Sequence, residues 1–270
     1  MPELPEVETS RRGIEPHIID TRVSRVLIRN RSLRWPVSRD VDRNLPGQTI
    51  SSVTRRAKYL LINTKNGSAI LHLGMSGSVF IVDRDTPAGV HDHVDITFDS
   101  GKTLRFRDPR RFGSLHWSKQ ALQHKLLKSL GPEPLDDYFD GDYLWAQSRG
   151  RSVSIKQFIM NAKIVVGVGN IYASESLFLA GINPKRTAGR VSRSRYQKLA
   201  AVIKDVLGKA IKAGGTTLRN FYGGDGKPGY FAQQLEVYGR DGEHCHYCNS
   251  MIGSIIQGQR STFYCKQCQT

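Results

Sequence analysis

Apolar positions follow two different periods along this 270-residue chain, and the change between them divides it. A short helix is expected over Glu6 to Ile14. Beyond it, up to about residue 117, short β-prone runs rich in apolar residues stand at Tyr59 to Asn63, Ala69 to Leu73, Val79 to Val82, Val94 to Phe98 and Thr103 to Arg107. Runs of that length and composition mark strands, and Asn66-Gly67 and Ser100-Gly101 supply turns between them. Strands in that number pack as a sandwich or a barrel. From Ser118 the spacing becomes helical, over Ala121 to Leu130, Ile155 to Met160, Tyr172 to Leu179 and Tyr196 to Ala213, with Gly131, Gly181 and Gly214 as stops. Gly131-Pro132-Glu133-Pro134 reads as a linker. Near the end, Ile255-Ile256 and Thr262-Phe263-Tyr264 form two short strands of a hairpin, with Gln259 and Arg260 in or near its turn.

Charge changes this picture from a fold into a surface. Lys and Arg number 40 against 24 Asp and Glu, a net charge of +16, so a polyanion is the expected partner and nucleic acid leads. Arg22, Arg25, Arg29, Arg31, Arg34, Arg39 and Arg43 interleave with Val23, Val26, Leu27, Ile28 and Leu33, which places the charge on an amphipathic, strand-like segment. No apolar run approaches a bilayer span and the first turn is acidic where a signal peptide is basic, so an intracellular, soluble protein is expected.

All four cysteines lie near the C-terminus, as Cys245-x2-Cys248 and Cys265-x2-Cys268. Two such knuckles on a hairpin present four thiolates to one ion, the spacing of a structural Zn²⁺ site; disulfides are disfavoured without a secretory signal. A full tetrahedron leaves no open position for catalysis, and His244 and His246 are then surface residues.

The start of the chain carries reactive chemistry. Methionine is normally trimmed before a residue as small as Pro2, and a bared proline is a secondary amine able to attack an electrophilic carbon; Glu3 is placed to shuttle protons for it. The alternative is an unremarkable solvated terminus. Gly74-Met75-Ser76-Gly77 and Asp108-Pro109-Arg110-Arg111-Phe112-Gly113 are glycine-bounded loops whose Met75 and Phe112 suit wedges between bases, or else cap a core. Gly167-Val168-Gly169-Asn170 opens a helix and offers backbone amides to an anion, with Lys156 shortly before it.

Together these residues resemble the formamidopyrimidine-DNA glycosylase family. The likeness runs from Pro2 to Cys268, through Arg56-Ala57-Lys58-Tyr59-Leu60, His72-Leu73-Gly74-Met75-Ser76-Gly77, His91-Asp92-His93-Val94, the Asp108 to Gly113 loop, Leu130-Gly131-Pro132-Glu133-Pro134-Leu135, Gly167-Val168-Gly169-Asn170-Ile171-Tyr172, Gly214-Gly215-Thr216-Thr217 and the four cysteines. It implies an α+β protein. An N-terminal β-sandwich with flanking helices would span residues 1–131, a helix-two-turns-helix domain with a lesion-side loop residues 132–235, and a zinc finger residues 236–270, with DNA in the cleft between. It further implies a monomeric, cytoplasmic, nucleoid-associated bacterial enzyme of base-excision repair, both glycosylase and abasic-site lyase, acting on duplex DNA with oxidised purines or abasic sites.

The resemblance also assigns roles. Pro2 is the nucleophile and Glu3 the proton shuttle, Lys58 serves the elimination steps, and Arg260 holds phosphate and is linked to the second elimination. His91, Arg110, Arg151, Lys156 and Asn170 contact DNA; Met75, Arg110 and Phe112 fill the void, with Arg110 facing the orphaned base. Glu6, Thr216, Thr217 and Arg219 fall to lesion recognition, and Cys245, Cys248, Cys265 and Cys268 to one structural Zn²⁺. Two departures stand out: Arg219 replaces a common lysine, and Asn161 replaces a common aspartate in a helix position. The sister group, endonuclease VIII, typically begins Pro-Glu-Gly-Pro and prefers oxidised pyrimidines, whereas Leu4 and Val7-Glu8-Thr9 favour the purine branch. A non-catalytic binder of damaged nucleic acid would need only the finger and the basic surface.

Overall fold

In the computed structural model, which describes residues 1–216 and 234–270, the chain opens with helix α1 (Leu4–Ile18). Pro5 lies in its first turn, where a missing N–H removes no helical bond. Leu4, Val7, Ile14 and Ile18 recur at helical spacing and are wholly buried, so one apolar face drives docking and the helix extends past the expected Glu6 to Ile14 at both ends. Thr217, Arg219 and the glycine-rich stretch around them lie outside the described residues.

Eight strands follow: β1 (Val23–Ile28), β2 (Ile50–Arg56), β3 (Tyr59–Thr64), β4 (Gly67–His72), β5 (Ser78–Asp83), β6 (Asp92–Phe98), β7 (Lys102–Arg107) and β8 (Ser114–Ser118), with helix α2 (Arg39–Asn44) between the first two. They form two antiparallel four-stranded sheets, β1-β6-β7-β5 and β2-β3-β4-β8. Phe98, Leu104 and Phe106 of one sheet and Leu60, Ile62 and Leu71 of the other belong to a single buried cluster that also takes in Val7 and Ile14 of α1. This is a β-sandwich. Each such side chain contributes about 1.5–3 kcal/mol on burial. Helix α1 touches β2 and β3 of one sheet and β5 and β7 of the other, which places the N-terminus against both layers.

The chain divides into two compact units, Met1–Ser129 with the described part of Ala213–Tyr230, and Leu130–Lys212 with the described part of Phe231–Thr270. The second holds α3 (Gly141–Ser148), α4 (Ile155–Ile159), α5 (Asn170–Ala180), α6 (Arg193–Lys212) and the hairpin β9 (Ile252–Gln257) with β10 (Arg260–Cys265). Tyr196, Leu199, Ile203, Val206 and Leu207 line the buried face of α6, which packs on α3 and α5. Helix α5 stops where Gly181 takes a left-handed φ of 74°. Val237, Cys245, Ile252 and Cys265 cluster with Phe178 of α5, so the finger and the helices share one core and the boundary expected at 235/236 is no break in packing. Gly131, expected in a linker, is instead anchored: its N–H donates to the Ala162 carbonyl at 2.8 Å, and a side chain there would meet the Ile164 backbone at 2.8 Å. No helix among the described residues is long and apolar enough to cross a membrane.

The helix expected over Ala121 to Leu130 is absent; Ala121–Gln123 makes one 3-10 turn. Leu122 is 60% exposed and Leu127 is the one apolar side chain buried there, so a helix would have no face to dock. Asn161 lies just past α4 rather than within a helix, and its side chain accepts from Lys163 N–H at 3.0 Å.

Candidate active site and nucleic-acid interface

In the first unit, Met1 is 48% exposed while Pro2 and Glu3 are buried at the head of α1. The Glu6 carboxylate spans this head: Oε2 accepts from Glu3 N–H and Oε1 from Thr216 N–H, each at 2.8 Å. Thr216 is buried, and Gly215, at φ 81°, lets the chain pass close to Glu6. Glu6 therefore fixes two segments 210 residues apart in sequence.

Lys58 stands in the two-residue turn joining β2 to β3, where Arg56 pairs with Tyr59. Ala57 before it holds a left-handed φ of 55°, a conformation that costs an L-residue about 1–2 kcal/mol. His72, at the end of β4, lies with its ring 4.7 Å from that of Tyr59 and accepts from Gly74 N–H through Nδ1 at 3.0 Å. Burial, with the charges of Lys58 and Arg34, pushes His72 down to about 4, so near neutral pH it is uncharged and able to accept.

The two loops suspected of wedging meet around Asp108, which is wholly buried. Its Oδ1 accepts from Ser76 Oγ at 2.8 Å and its Oδ2 from Gly113 N–H at 2.7 Å, while its backbone N–H donates to the His91 carbonyl. Gly74, at φ 69°, packs so tightly on Phe112 and Gly113 that a Cβ would lie 2.5 Å from their backbone. Held on this base, Met75 is 42% and Phe112 36% exposed, and the Arg110 guanidinium sits 5.0 Å over the Phe112 ring. Both apolar side chains point outward. His91 is exposed beside them.

In the second unit, Arg151 and Arg260 are exposed, Arg260 directly after the two-residue turn of Gly258 and Gln259, both at left-handed φ. Asn170 opens α5 and donates through Nδ2 to the Ser261 carbonyl at 2.9 Å, leaving its buried Oδ1 without a hydrogen-bond partner among the described residues. Lys156 is no surface cation. It is 1% exposed, and its Nζ donates to Thr262 Oγ1 at 2.7 Å and to the Ser261 carbonyl at 3.1 Å, so it props β10 from below. Glu175 of α5, buried, accepts from Glu236, Val237 and Tyr238 N–H at 2.8, 3.0 and 2.8 Å. Burial pushes its carboxyl up while the three amides pull it down. Tyr238 in turn packs edge-on against Phe263, with ring centres 5.1 Å apart.

The cysteine sulfurs lie within 4.8 Å of one another, with Cys248 to Cys265 at 3.4 Å and Cys245 to Cys268 at 3.9 Å. A tetrahedron with metal–sulfur bonds of about 2.3 Å has edges of about 3.8 Å, so the four can hold one ion. His244 and His246 are exposed, as expected, and bond to the Asn249 carbonyl and to Glu236.

A model of the formamidopyrimidine-DNA glycosylase N-terminal domain matches residues 1–115, and a model of that enzyme's H2TH domain matches residues 130–222. The chain belongs to the formamidopyrimidine-DNA glycosylase family. Among glycosylases of this name, that of Stutzerimonas stutzeri is 61% identical over 269 residues, covering all of both chains. A G226P mutant of the Lactococcus lactis enzyme bound to DNA containing Fapy-dG superposes with a TM-score of 0.92 at 33% identity, and the Lactococcus lactis enzyme in complex with abasic-site DNA with 0.91 at 33%, each covering 99% of both chains. The glycosylase from Thermus thermophilus superposes with 0.90 at 32%, covering 99% of this chain and 98% of the other. Within this glycosylase fold, His72, Ser76, Asp108 and Glu175 hold places that their residue types alone do not announce. The first three sit inside motifs already noted, and each stands on or beside a glycine-bearing loop whose backbone its side chain or its neighbours hold.

Proposed function

We propose that this glycosylase excises oxidised purines from duplex DNA and then cleaves the resulting abasic strand, with Pro2 as nucleophile. The observation that carries the reading is the contrast at the N-terminus: Met1 is open to removal, whereas the Pro2 thereby bared is buried beside Glu3 and the Glu6–Thr216 tie. The bared nitrogen attacks C1′ of the everted nucleotide with its lone pair, and the glycosidic electrons leave with the base, which takes up a proton. Glu3 delivers a proton to O4′ as the sugar opens, and the C1′–N bond becomes an iminium. The iminium acidifies C2′–H. Lys58 serves that proton's transfer as the 3′ phosphate departs, and a second elimination, to which Arg260 is assigned, releases the 5′ phosphate. Water then frees Pro2.

Met75, Arg110 and Phe112 occupy the emptied stack, and His91, Arg151 and Asn170 contact the backbone; Lys156 serves DNA binding through β10, which carries Arg260. Cys245, Cys248, Cys265 and Cys268 hold one Zn²⁺, whose chemistry is a crosslink that folds the hairpin. Borohydride reduction in the presence of an 8-oxoguanine duplex tests the reading, because it fixes an iminium as a permanent bond. A one-to-one covalent complex is expected. Duplex binding without any adduct would leave a damaged-DNA binder, and an adduct formed with oxidised pyrimidines alone would move the protein to the endonuclease VIII type.

A further inference from the structure

Many arginines of the first unit are held by carboxylates. Arg11 and Arg12 pair with Glu8, Arg29 and Arg105 with Asp95, Arg31 with Asp42 and Arg107 with Asp92. Arg34, Arg110 and Arg111 have no carboxylate partner among the described residues, yet they converge on one open hollow of about 640 Å³, lined also by Ser32, Leu33 and Phe112. Gathering three guanidiniums without a counter-charge works against the folded state, and a bound anion relieves it.

The backbone enforces this convergence. Arg34 N–H donates to the Arg111 carbonyl at 2.7 Å, which fastens the segment after β1 to the Asp108 to Gly113 loop. Arg111 holds a left-handed φ of 57°, strain of the kind that the surrounding structure must sustain. On one side the hollow shares Arg110 and Phe112 with the wedge, and on the other the charge of Arg34 reaches His72 near Lys58.

We propose that this hollow is a phosphodiester subsite, in which Arg34 and Arg111 hold one backbone phosphate of the duplex while Arg110 and Phe112 engage the base stack. It rests on the reading of the molecule as a DNA glycosylase and adds two residues to its DNA contacts. Arg suits the task because its planar fork meets two phosphate oxygens at once.

The test uses the full chain and an undamaged duplex, so that it is independent of catalysis. Arg34→Ala and Arg111→Asn, the latter chosen because asparagine tolerates the left-handed backbone, should each lower the slope of log affinity against log salt by about 0.9, equivalent to about eightfold in affinity at 0.1 M salt relative to 1 M. Lys102→Ala, which removes an exposed cation already paired with Asp83, should leave the slope unchanged. A scan of single methylphosphonates along both strands should reveal one position that weakens wild type but adds nothing to Arg34→Ala or Arg111→Asn.

Slopes equal to wild type, an equal fall in Lys102→Ala, or additive losses at every methylphosphonate overturn the proposal. So does inorganic phosphate that binds in an Arg34-dependent manner while duplex slopes stay unchanged, since the hollow then serves a free ion. Borohydride trapping of wild type reports separately on the catalytic reading, so the two can fail independently.

Discussion

Asp108 does for the wedge what no exposed residue can, because its two oxygens are the shared acceptor for Ser76 and Gly113 on different loops. Asp108→Asn keeps the volume but turns an N–H₂ toward one of those donors, a loss of about 1–3 kcal/mol that should appear as a lower unfolding midpoint. The loosened loops should slow release of 8-oxoguanine more than cleavage of an abasic strand, which has no base to evert. Comparing the two single-turnover rates checks this, and equal rates would reduce Asp108 to a purely structural residue. His72 makes a different prediction, set by acid. Its folded value of about 4 lies below its ordinary 6.5, so between those limits the unfolded chain binds the extra proton and stability falls as pH drops through the window. The contribution reaches up to about 3 kcal/mol at pH 4. His116, also pushed down to about 4 by burial, adds to the same acid slope. Unfolding free energy measured at several pH values should show a shallower slope in His72→Gln than in wild type.

At the scale of elements, the finger is the part least able to stand alone. Its apolar support is Phe178, Val237 and Ile252 with Leu179 and Phe263 packed on them, too little to fold a hairpin without a metal. Cys248→Ser should therefore strip the ion and unfold β9 and β10, free Lys156 from Thr262, and cost about tenfold or more in duplex affinity as phosphate contacts at Arg260 are lost. Metal content, duplex affinity and thermal unfolding check it; the sandwich, which shares no ligand with the finger, should melt as before. The finger was also the most legible element, because four cysteines at fixed spacing state their geometry in the sequence itself. Strands β3, β4, β6 and β7 were legible for a related reason, as their apolar runs face the shared core. Strands β2 and β8, at the two edges of their sheet, were missed: β2 buries only Ile50 and Val53 among polar neighbours, too weak a period to read. Helix α3 and the short α2 bury little and escaped likewise. In the site, residues with unusual chemistry were visible, whereas Asp108 and Glu175 look like ordinary surface acids until the fold encloses them.

Across the whole molecule, a net charge of +16 draws the protein to any duplex, so affinity for DNA in general does not depend on the reacting N-terminus. A version carrying residues fused ahead of Pro2 should accordingly keep wild-type duplex affinity at each salt concentration yet form no borohydride adduct; an adduct from the blocked protein would remove Pro2 from the mechanism. The three backbone amides gathered by Glu175 bear on something else, the exchange of parts between relatives. A finger transplanted from another family member brings its own cysteines and its own tip, but the ground it stands on belongs to the recipient's α5. A graft joined after Arg240 leaves that footing intact, whereas one joined before Leu235 must rebuild three hydrogen bonds around a buried carboxyl, and a single misplaced amide there leaves a polar group unsatisfied in the interior of the chimaera.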